Sequence, residues 1–307
     1  MKLIEKLRII QQISGLTQTE IANKIGVSFV AFNSWWTGKS EPRAKKLIVI
    51  DEFYKELTGQ TIIPEEAILA KKQIIFQEAK KYKNIIKTIV SQPDVYNQLI
   101  LSLTYNSNRI EGSTLSEGET ADIMFNNRSL PNKSLIEQLE VKNHQAALNF
   151  LFNYLEKKKD INRDLILKLH TILLNGIRDD AGFFRNHGVR IVGSNVPTTN
   201  YVKVPDLINS LIKSINQAKE DIISLSTKIH ASFEQIHPFS DGNGRLGRLI
   251  MLAMLVRKNI APAVVQQEKK SKYYNCLNKA QLNNDFSQLE DFLCDSIFFG
   301  FKIINRD

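Results

Sequence analysis

The chain has few of the residues and patterns that mark disulfide-stabilised or metal-binding proteins. Its 307 residues include only two cysteines and five histidines. Cys276 and Cys294 alone make neither a disulfide framework nor a zinc site, so we expect two buried, reduced thiols. The histidines show no HExxH or other metal-ligand spacing. Those outside the motif described below are expected to be structural or surface residues: His144, His170, His187 and His230.

Long apolar runs are also missing. No uninterrupted apolar stretch reaches the ~18 residues that a membrane-spanning helix needs. Charges break the start of the chain, MKLIEKLRIIQQI, which therefore lacks a signal-peptide core. Repeats and low-complexity tracts are absent as well. We expect a soluble cytoplasmic protein that does not associate with membranes.

Acidic residues are outnumbered, 32 against 41 basic ones, and the formal net charge is +9. This excess is compatible with nucleotide or nucleic-acid partners but does not identify them. Residues 1–57 carry only +3 of it, so the excess is not concentrated at the N-terminus. The length predicts about two domains, each able to bury a core.

The most informative segment is HPFSDGNGRLGR, residues 237–248. Apolar residues at helical spacing precede it over 222–236, and a second apolar helix follows it. The segment is therefore a tight loop at a helix N-terminus. There the N–H groups of Gly242, Asn243 and Gly244 can form an anion-binding nest, which the helix dipole supports. Glycine permits this because it has no Cβ to clash with a bound phosphate.

The polar residues of this loop suit phosphate chemistry. Arg245 and Arg248 can clamp two phosphates with planar, permanently charged forks. Asp241 can hold Mg²⁺ against phosphate oxygens, and His237 can deprotonate an incoming hydroxyl. The alternative is a polar turn between helices, but all these residue types occur together where one phosphate chain would need them.

At these residues the chain resembles the Fic (Fic/Doc) family, whose pattern HPFx[D/E]GNGRxxR is matched at every specified position. The resemblance implies a mostly helical enzyme that transfers AMP from ATP to a protein hydroxyl. It implies that His237 is the base, that Phe239 anchors the loop and that Asp241 binds Mg²⁺. Gly244 stands where the phosphorylating Doc branch has Lys, which argues against a kinase. The implied nucleotide-binding residues in this loop are Asp241, Gly242, Asn243, Gly244, Arg245, Leu246, Gly247 and Arg248.

A second segment, YNSNRIEGSTLS at 105–116, resembles the inhibitory [S/T]xxxE[G/N] helix of the same family. Ser107 and Glu111 are four residues apart and share one helix face. We expect an inhibitory helix around 102–113, in which Ser107 bonds the nest and Glu111 pairs with Arg248. ATP would then bind in an unproductive pose. By itself the pattern is also compatible with an exposed helix face.

Residues 183–207 predict a short β-hairpin, with Val189 to Val192 in one strand and Tyr201 to Val204 in the other. In the family such a hairpin is a flap that covers the site and holds the target by strand addition. Its nucleotide-facing tip matches Val192, Gly193, Ser194 and Asn195, and Arg185 precedes it. Further on, KSKYYNCLNKAQ resembles the helix that closes over the base. Tyr273 and Gln281 are its matching positions, although Tyr273 fits an ordinary core position equally well.

The N-terminal segment Leu16–Pro42 has two short helices around a Gly26-Val27 turn. It resembles the XRE/Cro type of helix-turn-helix domain, with a core of Ile21, Val27, Phe32 and Trp35. The resemblance implies DNA contacts, yet apolar residues occupy some outward positions, so the capacity to read bases is thin. The alternative is a fold kept for dimerisation or packing. The implied DNA-facing residues are Gln18, Ser28, Phe29, Val30, Asn33, Lys39 and Arg43.

We therefore predict an all-α protein with one small β-hairpin. Residues 1–57 form a helix-turn-helix domain, 58–95 a helical connector with one helix over 65–89, and 96–307 a Fic domain. The expected function is autoinhibited transfer of AMP from ATP, with Mg²⁺, to a target protein. Two alternatives stay open: a DNA-binding regulator whose Fic site senses ATP, and an enzyme that mainly removes AMP. The sequence leaves open the target, the nucleotide preference and whether the protein is a monomer or a homodimer.

Overall fold

The computed structural model describes residues 3–58, 63–191 and 195–306. The chain divides into two compact units, Met1–Pro64 and Glu65–Asp307. The described residues form fifteen α-helices and no β-strand, which confirms the all-α prediction. None of the described helices is long and apolar enough to cross a membrane.

The first unit consists of four helices around a small core. A capping box starts the second helix: the Thr17 side chain accepts from the Glu20 N–H, and the Glu20 carboxylate accepts from the Thr17 N–H. Gly26 ends that helix in the left-handed conformation. Ser28 caps the next helix, which begins three residues after Gly26. The helices are α1 (Leu3–Ser14), α2 (Gln18–Ile25), α3 (Phe29–Trp36) and α4 (Ala44–Thr58).

The core of this unit contains three of the four predicted residues, Ile21, Phe32 and Trp35, while Val27 packs at its edge. Of the residues expected to face DNA, Gln18 is half-buried and the others are exposed. Phe29 and Val30 leave 46% and 78% of their surface accessible at the start of α3. The outward face of α3 is therefore more apolar than polar.

The second unit is built around two long, buried helices, α12 (Ile222–Ile236) and α13 (Asn243–Arg257). Other helices pack against this pair, and residues 237–242 connect its two members. The helices are α5 (Glu65–Ala79), α6 (Ile85–Val90), α7 (Pro93–Glu111), α8 (Glu117–Asn126), α9 (Leu135–Glu156), α10 (Arg163–Leu173), α11 (Val204–Gln217), α12 (Ile222–Ile236), α13 (Asn243–Arg257), α14 (Lys270–Asn283) and α15 (Ser287–Asn305).

The segment predicted as a connector with one helix over 65–89 forms two helices of the second unit instead. The first ends at Ala79, and Asn84 caps the second by accepting from the Lys87 N–H at 3.0 Å. Lys71 on α5 bonds Asp291 and Asp295 of α15, both at 2.6 Å. These ion pairs and the α5–α15 packing hold the segment against the second unit.

The predicted second strand of the hairpin, Tyr201 to Val204, is wrong. Tyr201–Lys203 form a 3-10 turn and Val204 begins α11. Two local signals override the β propensity of these residues. Asn200 caps the turn through the Val202 N–H at 3.0 Å, and Pro205 occupies the first turn of the helix, where its missing N–H is not needed.

The first arm of the predicted hairpin also lacks a strand in the part that the structure describes, since residues 189–191 are irregular. A side-chain bond links the two arms in place of a ladder: the Thr198 hydroxyl donates to the Val189 carbonyl at 2.6 Å. Val192, Gly193 and Ser194, the predicted tip, lie outside the described residues. Asn195 beside them is exposed.

Candidate active site

His237 ends α12 in the left-handed conformation, with φ +49° and ψ +61°. The chain therefore turns away from the helix axis at His237, the residue that the sequence predicts to be the catalytic base. The ring Nδ1 lies 3.2 Å from the Glu234 carbonyl. A bond to a carbonyl requires a proton on Nδ1, which leaves the lone pair on Nε2. Burial lowers the pKa of His237, so the imidazole is neutral and able to accept a proton near pH 7.

Arg185 holds the backbone around His237. Its guanidinium is buried and donates to the carbonyls of His237 at 2.7 Å and Ile236 at 3.2 Å. The same group donates to the carbonyls of His187 and Thr199, one on each arm of the segment predicted as the flap. The carbonyls at the end of α12 lack partners within the helix, and the guanidinium donates hydrogen bonds to them. Its positive charge also interacts favourably with the negative end of the helix dipole.

Asn243 closes the loop that follows. Its amide oxygen accepts from the Phe239 N–H at 3.0 Å, and its amide nitrogen donates to the Phe239 carbonyl at 2.9 Å. Both groups are buried, so the loop has one conformation fixed from within. The predicted phosphate-binding role of Asn243 therefore falls to its backbone, because its side chain is occupied.

His170 supports the loop from α10. Its ring stacks on Phe239, with 3.7 Å between the centroids. Nδ1 accepts from the Gly182 N–H at 2.8 Å, so the proton is on Nε2, which donates to the Asp241 carbonyl at 3.0 Å. Burial lowers the pKa of His170 and keeps this neutral tautomer. The residue is structural, as expected, and it fixes the backbone next to the nest.

The glycines of the loop leave room where a side chain would collide. Gly242 has φ +75°, and a Cβ there would lie 2.6 Å from Leu174 Cδ2. A Cβ on Gly244 would collide with the Glu111 carboxylate and lie 3.3 Å from Arg248 Nη1. The backbone at the start of α13 therefore faces both of these charged groups. Leu246 and Gly247, also predicted to bind nucleotide, are buried, and Gly247 lies against Glu234.

Arg245 and Asp241 are one helical turn apart, but their surroundings differ. Arg245 is buried and donates to the Glu140 carboxylate on α9 at 2.6 Å. Asp241 lies 3.6 Å from Arg245, and its carboxylate accepts from the Gly242 N–H at 2.6 Å. With about half of its side chain accessible, it can take a further ligand. One exposed carboxylate beside a phosphate site fits Mg²⁺, which binds proteins through one or two carboxylates and completes its shell with phosphates and water.

Arg248 is held by the helix predicted to be inhibitory. Its Nη2 donates to Glu111 Oε1 at 2.7 Å, the pairing expected from the sequence. The sequence predicted that Ser107 bonds the nest. In the structure Ser107 binds Arg248 instead. The Ser107 hydroxyl accepts from Nε at 3.0 Å, and its carbonyl accepts from Nη2 at 3.1 Å. Three hydrogen bonds from the Arg248 guanidinium therefore connect it to α7.

Three buried ionisable side chains lie near Arg248, and burial disfavours the charged form of each. Burial raises the pKa of Glu234 to about 8, although Arg248 opposes that shift. Burial lowers the pKa of His144 and of His230 to about 3, with Arg248 acting in the same direction. Between about pH 4 and about pH 7 all three are therefore largely neutral, while Arg248 is charged.

The two residues expected to contact the base lie on α14, Tyr273 buried and Gln281 half-buried. Tyr273 is 1% exposed and its hydroxyl bonds His230 Nε2 at 2.6 Å, so it is a core residue. The Gln281 side chain donates to the Ala231 carbonyl at 2.9 Å. The Tyr274 ring lies beside Tyr273, with 5.2 Å between the centroids, and is half-buried, so it has more accessible surface than its neighbour.

Comparison with known families gives one match, to the Fic/DOC family over residues 160–255, the range that contains the loop. A curated relative from Nematostella vectensis, named protein adenylyltransferase Fic, is 32% identical over 180 residues, covering 57% of this chain and 42% of that protein. Protein adenylyltransferase fic-1 of Caenorhabditis briggsae is 34% identical over 186 residues, covering 59% and 36%. These matches support the Fic family. The chain spans less than half the length of these relatives.

Solved structures share the fold. A fragment of Fic-1 from C. elegans aligns with a TM-score of 0.68 at 20% identity, covering 98% of this chain and 92% of that one. A Fic domain containing signaling protein from Bacteroides thetaiotaomicron aligns with a TM-score of 0.66 at 21% identity, covering 77% and 98%. At this identity the likeness establishes the helical fold.

The sequence did not reveal which residues from other segments hold the loop at 237–242 in position. Glu140 holds Arg245, Arg185 holds the carbonyl of His237, and His170 holds the carbonyl of Asp241. All three come from other elements, and none belongs to a short pattern. Their only signal is chemical: a polar side chain among apolar helix positions must find a partner when it is buried.

Proposed function

We propose that this chain is a protein adenylyltransferase that transfers AMP from ATP to a hydroxyl of a target protein. One observation carries the proposal: a neutral imidazole, an exposed carboxylate, a glycine-lined helix N-terminus and two buried arginines converge on residues 237–248. The names of the curated relatives support the same chemistry.

In the proposed reaction, His237 Nε2 takes the proton from a Ser, Thr or Tyr hydroxyl of the target. The hydroxyl oxygen then attacks the α-phosphorus of ATP in line, a bond to AMP forms and the bond to pyrophosphate breaks. The N–H groups at the start of α13 hold phosphate oxygens, and Arg248 receives the distal phosphate. Mg²⁺ at Asp241 would neutralise charge that develops on the phosphates.

We further propose that α7 inhibits this reaction. The Glu111 carboxylate occupies both the open side of Gly244 and the guanidinium of Arg248, the two groups that a terminal phosphate needs. ATP bound beside it would have its α-phosphate out of line with His237. Removal of the Glu111 carboxylate should therefore activate the enzyme.

The experiment that tests the activity is incubation of the protein with α-labelled ATP, Mg²⁺ and a cell lysate. We expect labelled proteins with the Glu111→Gly variant, and none when that variant also carries His237→Ala. Label that persists without the imidazole would overturn the proposed role of the loop. ATP binding without any transfer would favour an ATP-sensing regulator.

Removal of AMP is a second candidate reaction, because the same carboxylate that blocks Arg248 could orient a water molecule. Glu111 leaves 31% of its side chain accessible, so water can reach it. A pre-labelled target would separate the two: release of AMP by the wild type and its loss in Glu111→Gln would favour hydrolysis. Retention of the label under those conditions would argue against it.

We also propose that residues 1–57 bind DNA through the start of α3. The exposed positions of Ser28, Asn33, Lys39 and Arg43 support this, whereas the apolar exposure of Phe29 and Val30 limits base reading. A gel shift across the upstream region of the gene, repeated at rising salt, tests it. A shift that persists in an Asn33→Ala, Arg43→Ala variant would mean that this helix is used for packing or dimerisation.

A further inference from the structure

A cleft of about 840 Å³ lies in the second unit at the far end of α13. Because α13 runs from Asn243 to Arg257, the cleft is about 21 Å along the helix axis from the loop at its start. It is thus separate from the candidate active site. Its walls come from three segments: the turn before α6 with the start of that helix, the end of α9 and the end of α13.

The floor of this cleft is apolar and its position is fixed. Ile86, Leu155 and Val256 form the buried base. Asn259 ties the walls together, since its amide oxygen accepts from the Ile85 N–H at 2.8 Å and its amide nitrogen donates to the Tyr82 carbonyl at 2.7 Å. These two bonds hold the turn before α6 against the end of α13 at the base of the cleft.

Positive charge is concentrated on its rim. The three segments 80–87, 153–160 and 256–259 carry nine Lys or Arg and two Asp or Glu side chains, a formal charge of +7 out of the +9 of the whole chain. Five of the cations line the cleft, against one carboxylate, Glu156. They are Lys83, Lys87, Lys157, Lys158 and Arg257.

Most of these cations have no counter-charge. Within residues 3–58, 63–191 and 195–306, no hydrogen bond or ion pair engages the ammonium groups of Lys83, Lys87, Lys157 and Lys158. Arg257 differs, because Asp160 accepts from it at 2.7 Å. Some lysines elsewhere in this unit do have an acidic partner; Lys72, for example, lies 3.0 Å from Asp221. The cleft thus gathers like charges whose mutual repulsion the fold leaves uncompensated.

We propose that this cleft binds the phosphodiester backbone of a single-stranded nucleic acid. Lysine ammonium groups contact phosphates as point charges, and the amides of Asn84 and Asn153 on the cleft wall can donate to phosphate or sugar oxygens. A basic groove with these groups reads backbone and not sequence. An acidic protein segment fits less well, because the cleft offers no unpaired arginine for bidentate carboxylate binding and no strand edge.

The test is fluorescence anisotropy of the full-length protein with a labelled 20-nucleotide oligouridylate at several salt concentrations. The helix-turn-helix type reads duplex DNA, so a single strand isolates the cleft. We expect binding that weakens as salt rises. In the triple variant Lys83→Gln, Lys87→Gln, Lys158→Gln, we expect at least a tenfold loss of affinity at 50 mM salt, and the slope of log K against log salt should fall by about two.

A matched variant neutralises three exposed lysines on other helices of the same unit: Lys168→Gln, Lys213→Gln and Lys302→Gln. It should bind oligouridylate within about twofold of the wild type. Equal losses in the two variants would overturn the proposal, because overall charge and not the cleft would then hold the strand. Equally strong binding of a 20-residue polyglutamate would also overturn it in favour of acidic proteins. The proposal is independent of AMP transfer, which the triple variant should retain.

Discussion

Replacement of Glu111 by Gly should increase AMP transfer, an unusual direction for the loss of a charged residue at an active site. Glu111 Oε1 accepts from Arg248 Nη2 at 2.7 Å, and its carboxylate covers Gly244. A terminal phosphate must displace this carboxylate before it can take the guanidinium. Glu111 is the last residue of α7, ahead of the left-handed Gly112, so Gly there perturbs the helix little.

The magnitude follows from the single bond that is removed. A hydrogen bond to a charged group contributes about 1.5–3 kcal/mol, and each ~1.36 kcal/mol of barrier corresponds to a factor of ten in rate. Because 31% of the Glu111 side chain is accessible, solvent screens part of the pair and the lower end applies. We therefore expect at least about a tenfold gain in labelling.

Two further variants separate charge from shape. Glu111→Gln keeps the volume over Gly244 but removes the charge, so its gain should be smaller than that of Glu111→Gly. Arg248→Ala in the Gly background should cancel the gain, since the freed group is then missing. The assay is incorporation of α-labelled ATP into the protein itself or a target. Unchanged or lower labelling by Glu111→Gly would refute the inhibitory role of α7.

Three other predictions concern the loop and the layer beneath it. His237→Ala should abolish labelling while calorimetry still detects Mg·ATP binding, because the imidazole acts on the hydroxyl and not on the phosphates. Asn243→Ala should lower the free energy of unfolding by about 1–3 kcal/mol, because it leaves the buried Phe239 N–H and C=O without partners. Thermal denaturation measures this, and an unchanged melting temperature would show that the Asn243 side chain does not hold the loop. Glu234→Gln should become more stable than the wild type as pH rises from about 5 to 8. The raised pKa of the Glu234 carboxyl means that its stability contribution is complete below the unfolded-state pKa and is lost as pH rises toward about 8. A pH-independent difference between these two proteins would show that Glu234 is already ionised in the fold.

The sequence predicted the helices and the loop well because their signals are local. Apolar spacing placed α12 and α13, Gly26 and Ser28 marked the turn in the first unit, and Glu111 pairs with Arg248 as its place in the pattern predicted. Each of these patterns spans a few residues, over which helical periodicity and capping rules apply directly.

What the sequence could not predict depends on partners far along the chain or on competing local signals. Asn243 had two roles open to it, and only the position of Phe239 shows that its side chain clasps the loop. Tyr201 has a high β propensity, yet Asn200 and Pro205 begin a helix there.

Arg185 joins two parts of the molecule that lie far apart along the chain. Its guanidinium holds the carbonyls of Ile236 and His237 at the end of α12, and also those of His187 and Thr199 on the segment between α10 and α11. A displacement of that segment would therefore be transmitted to the imidazole of His237 through the Arg185 side chain alone, without movement of any helix.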